Sequence, residues 1–148
     1  MSLPPLPRSA IVIAAEAPDW RAAVTLAGDA LARSGAARPA YSAEMIRMIE
    51  EHGPYVVIAP GLALAHARPG PDVLADGLSI VTLATPVYFG HPHNDPVRVV
   101  LGLAVTSSSE HLAAVAAVAN VFNDSTAITD LAEATTAERV QEIMAVES

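Results

Sequence analysis

The chain of 148 residues contains no cysteine and no lysine. Without cysteine, disulfides and thiolate metal sites are excluded. Without lysine, a P-loop lysine and Schiff-base chemistry are excluded as well. All eight cations are arginine, the formal net charge is −8, and no basic run occurs. Nucleic acid and anionic membrane surfaces are therefore not expected as partners.

Long apolar segments are also missing, although hydrophobic residues make up 52% of the chain. The longest apolar run, Leu112 to Ala119, falls far short of the ~20 residues that cross a bilayer. The N-terminus is rich in proline and has neither the basic region nor the apolar core of a signal peptide. We therefore expect a cytoplasmic protein without direct membrane insertion.

The length favours one domain over residues 1–148, with residues 1–9 as an irregular arm. Short apolar runs rich in branched residues predict strands at 10–15, 55–59, 62–65, 78–84 and 98–105. Helical spacing and capping residues predict helices at 19–34, 39–52, 107–123, around 128–132, and from 135 onwards. Because helices flank the strand block in sequence, the predicted fold is α/β, a three-layer α/β/α sandwich with a central mixed β-sheet.

His66 is the first candidate for a catalytic residue. Apolar residues run from Val57 into a Pro60-Gly61 turn, and a second short apolar run ends at His66. This layout holds an imidazole on a rigid backbone. A carbonyl there could bind one ring nitrogen, fix the tautomer and leave the other nitrogen free as a nucleophile. The pattern alone is equally compatible with a buried structural histidine.

His111 is the second candidate. Ser107 and Glu110 have the spacing of a capping box, which places His111 in the first turns of a helix. The N-terminus of a helix presents unpaired N–H groups and a partial positive charge, so phosphate binds there readily. The alternative is an ordinary polar residue near the start of an exposed helix.

Two charged residues could support such a site. Arg68 lies two positions after His66. Its guanidinium could bind the oxygens of a transferred phosphoryl group, or could simply be solvated. Asp95 could orient a histidine, although the sequence Asn94-Asp95-Pro96 is more typical of a turn.

His91 and His93 suggest another function, a histidine-based metal-binding protein, because two close imidazoles recur in zinc sites. Together with His66 or His111 they could supply three ligands. We favour the simpler interpretation, a polar loop between strands, and predict neither a metal site nor a cofactor.

Three segments of the chain carry a family resemblance: residues 53–63 leading to 66–69, residues 86–90 with 94–97, and His111-Leu112 at a helix start. They resemble the IIA components of the bacterial phosphoenolpyruvate-dependent sugar phosphotransferase system (PTS). Within the mannitol/fructose superfamily of these EIIA proteins, the ascorbate-type branch (EIIA type 2) looks nearest. The resemblance extends over nearly the whole chain, from about Ile13 to Val146.

The resemblance implies that His66 is the phosphorylated residue and that His111 contacts the phosphoryl group. Family members accept this group from the phosphocarrier protein HPr. They pass it to a cysteine of a IIB protein, which phosphorylates sugar during import by the membrane component IIC. Because this sequence has no cysteine, the resemblance implies that IIB is a separate polypeptide.

Two positions depart from the family pattern. Ala65 stands where proline usually precedes the active histidine, which could loosen the turn. Glu50-Glu51 occupies the segment in which mannitol-type members carry an arginine. This second departure weakens a mannitol assignment and leaves Arg68 as the nearest candidate for phosphate contact.

A regulatory role is also open, because the same fold could sense phosphorylation and bind a regulator. If HPr does dock, the rim around His66 must be a protein-binding surface with an apolar centre and a charged rim. The sequence offers apolar and acidic candidates for that rim: Leu62, Leu64 and Tyr88, with Asp72, Asp76 and Glu110.

Overall fold

A five-stranded mixed sheet forms the centre of the computed structural model, which describes residues 3–124 and 126–144. The strands are β1 (Ile11–Ala15), β2 (Val57–Ala59), β3 (Leu62–His66), β4 (Gly77–Val87) and β5 (Val97–Ala104). Their order across the sheet is β1-β4-β5-β3-β2. The pairs β1–β4 and β3–β5 are parallel, whereas β4–β5 and β2–β3 are antiparallel.

Helices cover both faces of this sheet. On one face lie α1 (Trp20–Arg33) and α2 (Tyr41–His52), and on the other lie α3 (Ser108–Val121), α4 (Ala127–Glu133) and α5 (Ala137–Ile143). The strands β3 and β5 and the first seven residues of β4 are almost entirely buried, as expected where both faces of a sheet are covered. The predicted three-layer α/β/α sandwich with a mixed sheet is therefore confirmed.

Side-chain caps set several helix starts where the sequence places them. Asp19 accepts a hydrogen bond from the Ala22 N–H at 2.9 Å at the start of α1. The Ser107 hydroxyl accepts one from the Glu110 N–H at 3.2 Å at the start of α3. The last helix is displaced by one residue, because Thr136 rather than Thr135 caps α5.

The arm predicted over residues 1–9 has no regular secondary structure at residues 3–7, and a short 3₁₀ turn (Arg8–Ala10) then leads into β1. Residues 1 and 2 lie outside the described part of the chain. The arm nevertheless packs on the fold. The Pro5 carbonyl accepts a hydrogen bond from the Leu78 N–H at 2.9 Å, and the Leu6 carbonyl accepts one from Gln141 Nε2 at 3.0 Å. Leu6 is buried, so the arm contributes to the core.

The strand directions give the sheet two distinct ends. His66 pairs with Leu103, close to the start of β4 at Gly77, and we call this the histidine end. The opposite end carries Leu62 at the start of β3 and the loop between β4 and β5. This division decides which of the candidate residues can act together.

Candidate functional site

His66 is the last residue of β3 and its ring is half-buried. Because strand side chains alternate, His66 shares a face with Leu62 and Leu64, which is the face that α3 covers. The ring Nδ1 lies 3.1 Å from the Leu64 carbonyl oxygen. A carbonyl only accepts, so the proton is on Nδ1 and the lone pair of Nε2 is free.

Burial lowers the pKa of His66 below its usual value, because desolvation disfavours the imidazolium. The Leu64 carbonyl opposes this shift, since it accepts the Nδ1 proton, and the nearby His111 reinforces it. The imidazole is therefore neutral near pH 7. A neutral ring with a free nitrogen is the form in which histidine acts as a nucleophile.

His111 lies in the first turn of α3, and its N–H donates to the Ser107 carbonyl at 3.0 Å. The centroids of the His66 and His111 rings are 5.0 Å apart, with an interplanar angle of 49°. The structure thus brings together the two histidines that the sequence singled out, from elements 45 positions apart along the chain.

Two further rings extend this pair. Tyr55 meets His66 edge-on with 5.8 Å between centroids, and His52 meets Tyr55 edge-on at 6.2 Å. We refer to His52, Tyr55, His66 and His111 as the ring row. Sequence reasoning gave no role to His52 or Tyr55. One hint lay in the sequence: Gly53-Pro54 ends α2 between these two residues, so both lie close to a chain turn, and the structure places that turn at the histidine end.

Arg68 is exposed at the histidine end. Within residues 3–124 and 126–144 its guanidinium forms no salt bridge and no hydrogen bond to another side chain or carbonyl. Its positive charge partly offsets the burial that raises the pKa of Tyr55, so the two groups lie near each other. Arg68 is therefore available to an incoming anion.

The ring row lines an open cavity of about 700 Å³. Arg68, the cap residue Ser107 and the first residue of α3, Ser108, complete its polar wall, while Met48 and Pro69 are apolar. The start of α3 contributes the partial positive charge of a helix N-terminus. A guanidinium, an imidazole and the start of a helix, three kinds of group that attract anions, therefore line the same cavity as His66.

Asp95 lies at the opposite end of the sheet and does not support this site, which corrects one expectation. Its carboxylate accepts hydrogen bonds from the backbone N–H groups of Phe89 (3.0 Å), Gly90 (2.6 Å) and His91 (2.9 Å). The carboxylate thus orders the β4–β5 loop, which is the turn role that Asn94-Asp95-Pro96 is typical of.

His91 and His93 belong to the same loop, so the structure does not bring them together with His66 or His111. The His91 Nδ1 accepts from the backbone N–H groups of His93 (3.1 Å) and Asn94 (3.0 Å). Among the described residues, no three histidine, aspartate or glutamate side chains are placed to hold a metal ion. The three-histidine site, which the sequence left as an alternative to a polar loop, is therefore not formed, because His91 and His93 lie at the opposite end of the sheet from His66 and His111.

The expected docking rim also needs correction. Leu62 and Leu64 are buried in the core between the sheet and the helices α3, α4 and α5, and Tyr88 is exposed but lies at the opposite end of the sheet. Asp76 is committed to structure, because it accepts hydrogen bonds from the Thr106 N–H at 2.8 Å and hydroxyl at 3.0 Å. An exposed apolar residue beside the site is Leu112, which is 71% exposed and follows His111.

Residues 5–146 match the family described as "Phosphoenolpyruvate-dependent sugar phosphotransferase system, EIIA 2". The chain belongs to this family. Two similar EIIA proteins carry the name ascorbate-specific PTS system EIIA component. The one from Salmonella choleraesuis is 34% identical, covering 92% of this chain and 89% of that protein. The one from Escherichia coli K12 is 37% identical, covering 77% and 75%.

Solved structures of EIIA proteins share the fold. PtxA, a PTS IIA protein from Streptococcus mutans, gives a TM-score of 0.85 at 36% identity, covering 93% of this chain and 88% of that one. The nitrogen regulatory protein IIA-Ntr from Neisseria meningitidis gives 0.80 at 26%, covering 94% and 95%. A chain of the E. coli complex between mannitol enzyme IIA and phosphorylated mannitol enzyme IIB gives 0.84 at 24%, covering 95% and 97%.

No helix within residues 3–124 and 126–144 of this EIIA protein has the length and apolar character needed to cross a membrane.

Proposed function

We propose that this EIIA protein is a phosphocarrier that accepts a phosphoryl group from HPr on His66 and passes it to a cysteine of a separate IIB protein. One observation carries the proposal. The Leu64 carbonyl holds the Nδ1 proton of His66, and the other ring nitrogen is left free beside His111 in an open cavity. A phosphohistidine carrier needs a neutral imidazole whose single free nitrogen can meet a donor in line.

In the accepting step, the Nε2 lone pair of His66 attacks the phosphorus of phospho-HPr. The P–N bond of the donor breaks, and its electron pair returns to the HPr imidazole. The new P–Nε2 bond leaves positive charge on the His66 ring, which still carries its Nδ1 proton. The Leu64 carbonyl stabilises that charge through the hydrogen bond measured at 3.1 Å.

In the donating step, a IIB thiolate attacks the same phosphorus, and the P–Nε2 bond breaks with its electrons returning to His66. Burial favours this direction. The burial that lowers the pKa of His66 also disfavours the cationic phosphoimidazole, so the group is held in a form that transfers readily. Neutral His66 is restored and needs no further proton.

His111, Arg68 and the start of α3 are proposed to bind the phosphoryl oxygens during both steps. In phosphoryl transfer most catalysis comes from alignment and from charge stabilisation around the three equatorial oxygens. His111 is the nearer partner, since its ring is in contact range of His66. Arg68 supplies the positive charge from the wall of the cavity.

For the substrate, we propose sugar uptake of the ascorbate type. The support is that two EIIA relatives at 34% and 37% identity are named ascorbate-specific. The IIA–IIB complex of the E. coli mannitol system supports a IIB partner by analogy of fold alone. This protein does not contact the sugar itself, because IIB phosphorylates the sugar while the membrane component IIC imports it. We propose that phosphoryl transfer between HPr, this protein and IIB takes place in the cytoplasm.

The alternative is a regulatory EIIA domain, favoured by the similarity to nitrogen regulatory protein IIA-Ntr. Such a protein would also accept phosphate from HPr, but would report its state to a regulator. Genes for IIB and IIC proteins beside this one would favour transport, and their absence would favour regulation.

The test is a reconstituted relay with phosphoenolpyruvate, enzyme I, HPr and a IIB protein. We expect acid-labile label on the wild-type protein, then on IIB. We expect no label with His66→Gln. The matched control is His93→Gln, which removes an exposed histidine at the opposite end and should be labelled like wild type. Equal labelling of the His66 variant would exclude it as the acceptor, and label that never reaches IIB would favour regulation.

A further inference from the structure

A buried hydroxyl lies directly behind the nucleophile. Tyr41 is the first residue of α2 and is only 1% exposed. Its Oη accepts a hydrogen bond from the Ala67 N–H at 3.0 Å and donates one to the Leu103 carbonyl at 2.8 Å. Tyr41 packs on the face that α1 and α2 cover, while the His66 ring lies on the other face. The two side chains therefore approach the same backbone from opposite sides.

The position of these two hydrogen bonds in the sheet is informative. His66 and Leu103 form the last register pair between β3 and β5, and Ala67 is the first residue beyond it. Without Tyr41, the hydrogen bonds between β3 and β5 would end at this pair, and the Ala67 N–H and the Leu103 carbonyl would be buried without a partner. The Tyr41 hydroxyl is inserted between them and acts as one additional rung.

Both histidines of the site depend on the backbone that this rung connects. Ala67 directly follows His66, and the chain runs from Leu103 through the end of β5 to Ser107, where α3 begins with His111 in its first turn. We propose that Tyr41 is a positioning residue whose hydroxyl sets the distance and angle between His66 and His111. The effect on phosphoryl transfer rests on the proposed function, whereas the effect on ring geometry does not.

Only a group that donates and accepts at once fits this place, since one neighbour is an N–H and the other a carbonyl. Burial raises the pKa of Tyr41 to about 12, so the hydroxyl keeps its proton throughout the working range. The rung is therefore permanent rather than a switch. Misplacement of a reacting group by about 1 Å can cost about a hundredfold in rate. A hydrogen bond that fixes the backbone beside His66 can therefore change the rate of phosphoryl transfer strongly.

The test is Tyr41→Phe, which removes one oxygen and keeps the ring. We expect phosphoryl transfer to IIB to slow by about tenfold or more with little change in the KM for phospho-HPr. In the ¹⁵N spectrum of the imidazoles, we expect His66 to shift from a single Nδ1–H tautomer towards a mixture. Wild-type transfer together with a wild-type His66 spectrum would overturn the proposal.

The matched control is Thr82→Val, which removes another buried hydroxyl. Thr82 is 1% exposed, and its Oγ1 accepts the Ala14 N–H at 2.8 Å, between β4 and β1. We expect this variant to lose comparable stability and to keep wild-type transfer and a wild-type His66 spectrum. Equal transfer losses in both variants would mean that Tyr41 acts only through stability, and would overturn the proposal.

Two measurements separate this inference from the proposed function. If phospho-HPr does not label the wild-type protein, the carrier function fails, and the imidazole spectra alone decide on Tyr41. If Tyr41→Phe does not fold, hydrogen exchange on the wild-type protein decides. We then expect the Ala67 amide to exchange as slowly as the amides inside β3. Exchange at the rate of an exposed loop would contradict the rung.

Discussion

At the scale of the residue, the chemistry of His66 follows from two features of its surroundings. The Leu64 carbonyl selects the tautomer, and burial keeps the ring neutral. Sequence reasoning anticipated a carbonyl that fixes one ring nitrogen, since His66 ends a short rigid strand. It gave no role to Tyr55 and His52, because Tyr55 reaches His66 only once the segment between α2 and β2 folds beside β3.

The lowered pKa of His66 predicts a pH dependence with a definite sign. In the unfolded chain the ring takes up a proton near pH 6.5, but in the folded protein only at lower pH. Between these two values the unfolded state binds more protons, so the free energy of unfolding falls as the solution is acidified. We expect His66→Gln to lose less stability than wild type between pH 7 and pH 5 in urea unfolding.

The same ring can be followed directly by NMR. We expect the His66 ring protons to titrate with a midpoint below 6.5. A midpoint at or above 6.5 would contradict the argument from burial, as would identical pH profiles of stability for the wild type and His66→Gln.

His111 should affect the transfer of the phosphoryl group to IIB more than its acceptance from HPr. Removing one donor to a developing charge in an enclosed site costs about a hundredfold to a thousandfold in rate, and at this open cavity we take about tenfold to a thousandfold. We expect His111→Ala to become labelled by phospho-HPr and then to pass the label to IIB slower by a factor in that range. Rapid-quench measurements of both steps would show it. Transfer at the wild-type rate would reduce His111 to a polar residue on a helix.

At the scale of the element, capping and apolar runs predicted the helices and strands well, and topology supplied the rest. Asp19 and Ser107 cap the helices as expected. The strand β4 extends to Val87, beyond its expected end at Ala84, because exposed residues 84–86 stay extended past a register shift against β5. The role of Asp95 was open because residue spacing does not say at which end of a sheet a loop lies.

The capping of α3 should be functional as well as structural, because that helix start carries His111 and part of the cavity wall. Ser107→Ala should cost about 1 kcal/mol of stability. We expect it also to slow transfer to IIB several-fold. Thr136→Ala is the matched control, since Thr136 caps α5 in the same way through the Arg139 N–H at 3.1 Å. Unfolding curves and transfer rates of both variants check this.

Slower transfer in Ser107→Ala alone would link the cap to the site. If the two variants behave alike in both assays, the start of α3 contributes only stability.

At the scale of the whole molecule, a net charge of −8 is available to steer a basic partner, chiefly through the association rate. At the histidine end, Glu110 is exposed at the start of α3 and Asp72 lines a neighbouring cavity of about 550 Å³ that also contains Arg68. Leu112 provides an apolar contact beside them. Of the docking rim suggested by the sequence, Asp72 and Glu110 therefore remain candidates, and Leu112 takes the place of the apolar residues.

The steering predicts a dependence on salt. Charges on an exposed rim are screened over about 30 Å at 0.01 M salt but over about 8 Å at physiological ionic strength. We expect phosphorylation by HPr to slow across that range, and Glu110→Arg to slow it further at low salt. Glu16→Arg, an exposed acid between β1 and α1, is the control of equal charge change. Rates indifferent to salt and to Glu110→Arg would place the docking surface elsewhere or make it apolar.

We propose that Nε2 of His66 carries the phosphoryl group, and the sharpest experiment locates that group on a single atom. The protein would be labelled with ¹⁵N in its histidines and phosphorylated by phosphoenolpyruvate, enzyme I and HPr. Its ¹⁵N–³¹P couplings would then be recorded at alkaline pH. We expect one coupling, to Nε2 of His66. Coupling to Nδ1 of His66, coupling to His111 or His52, or no phosphorylation at all would contradict it.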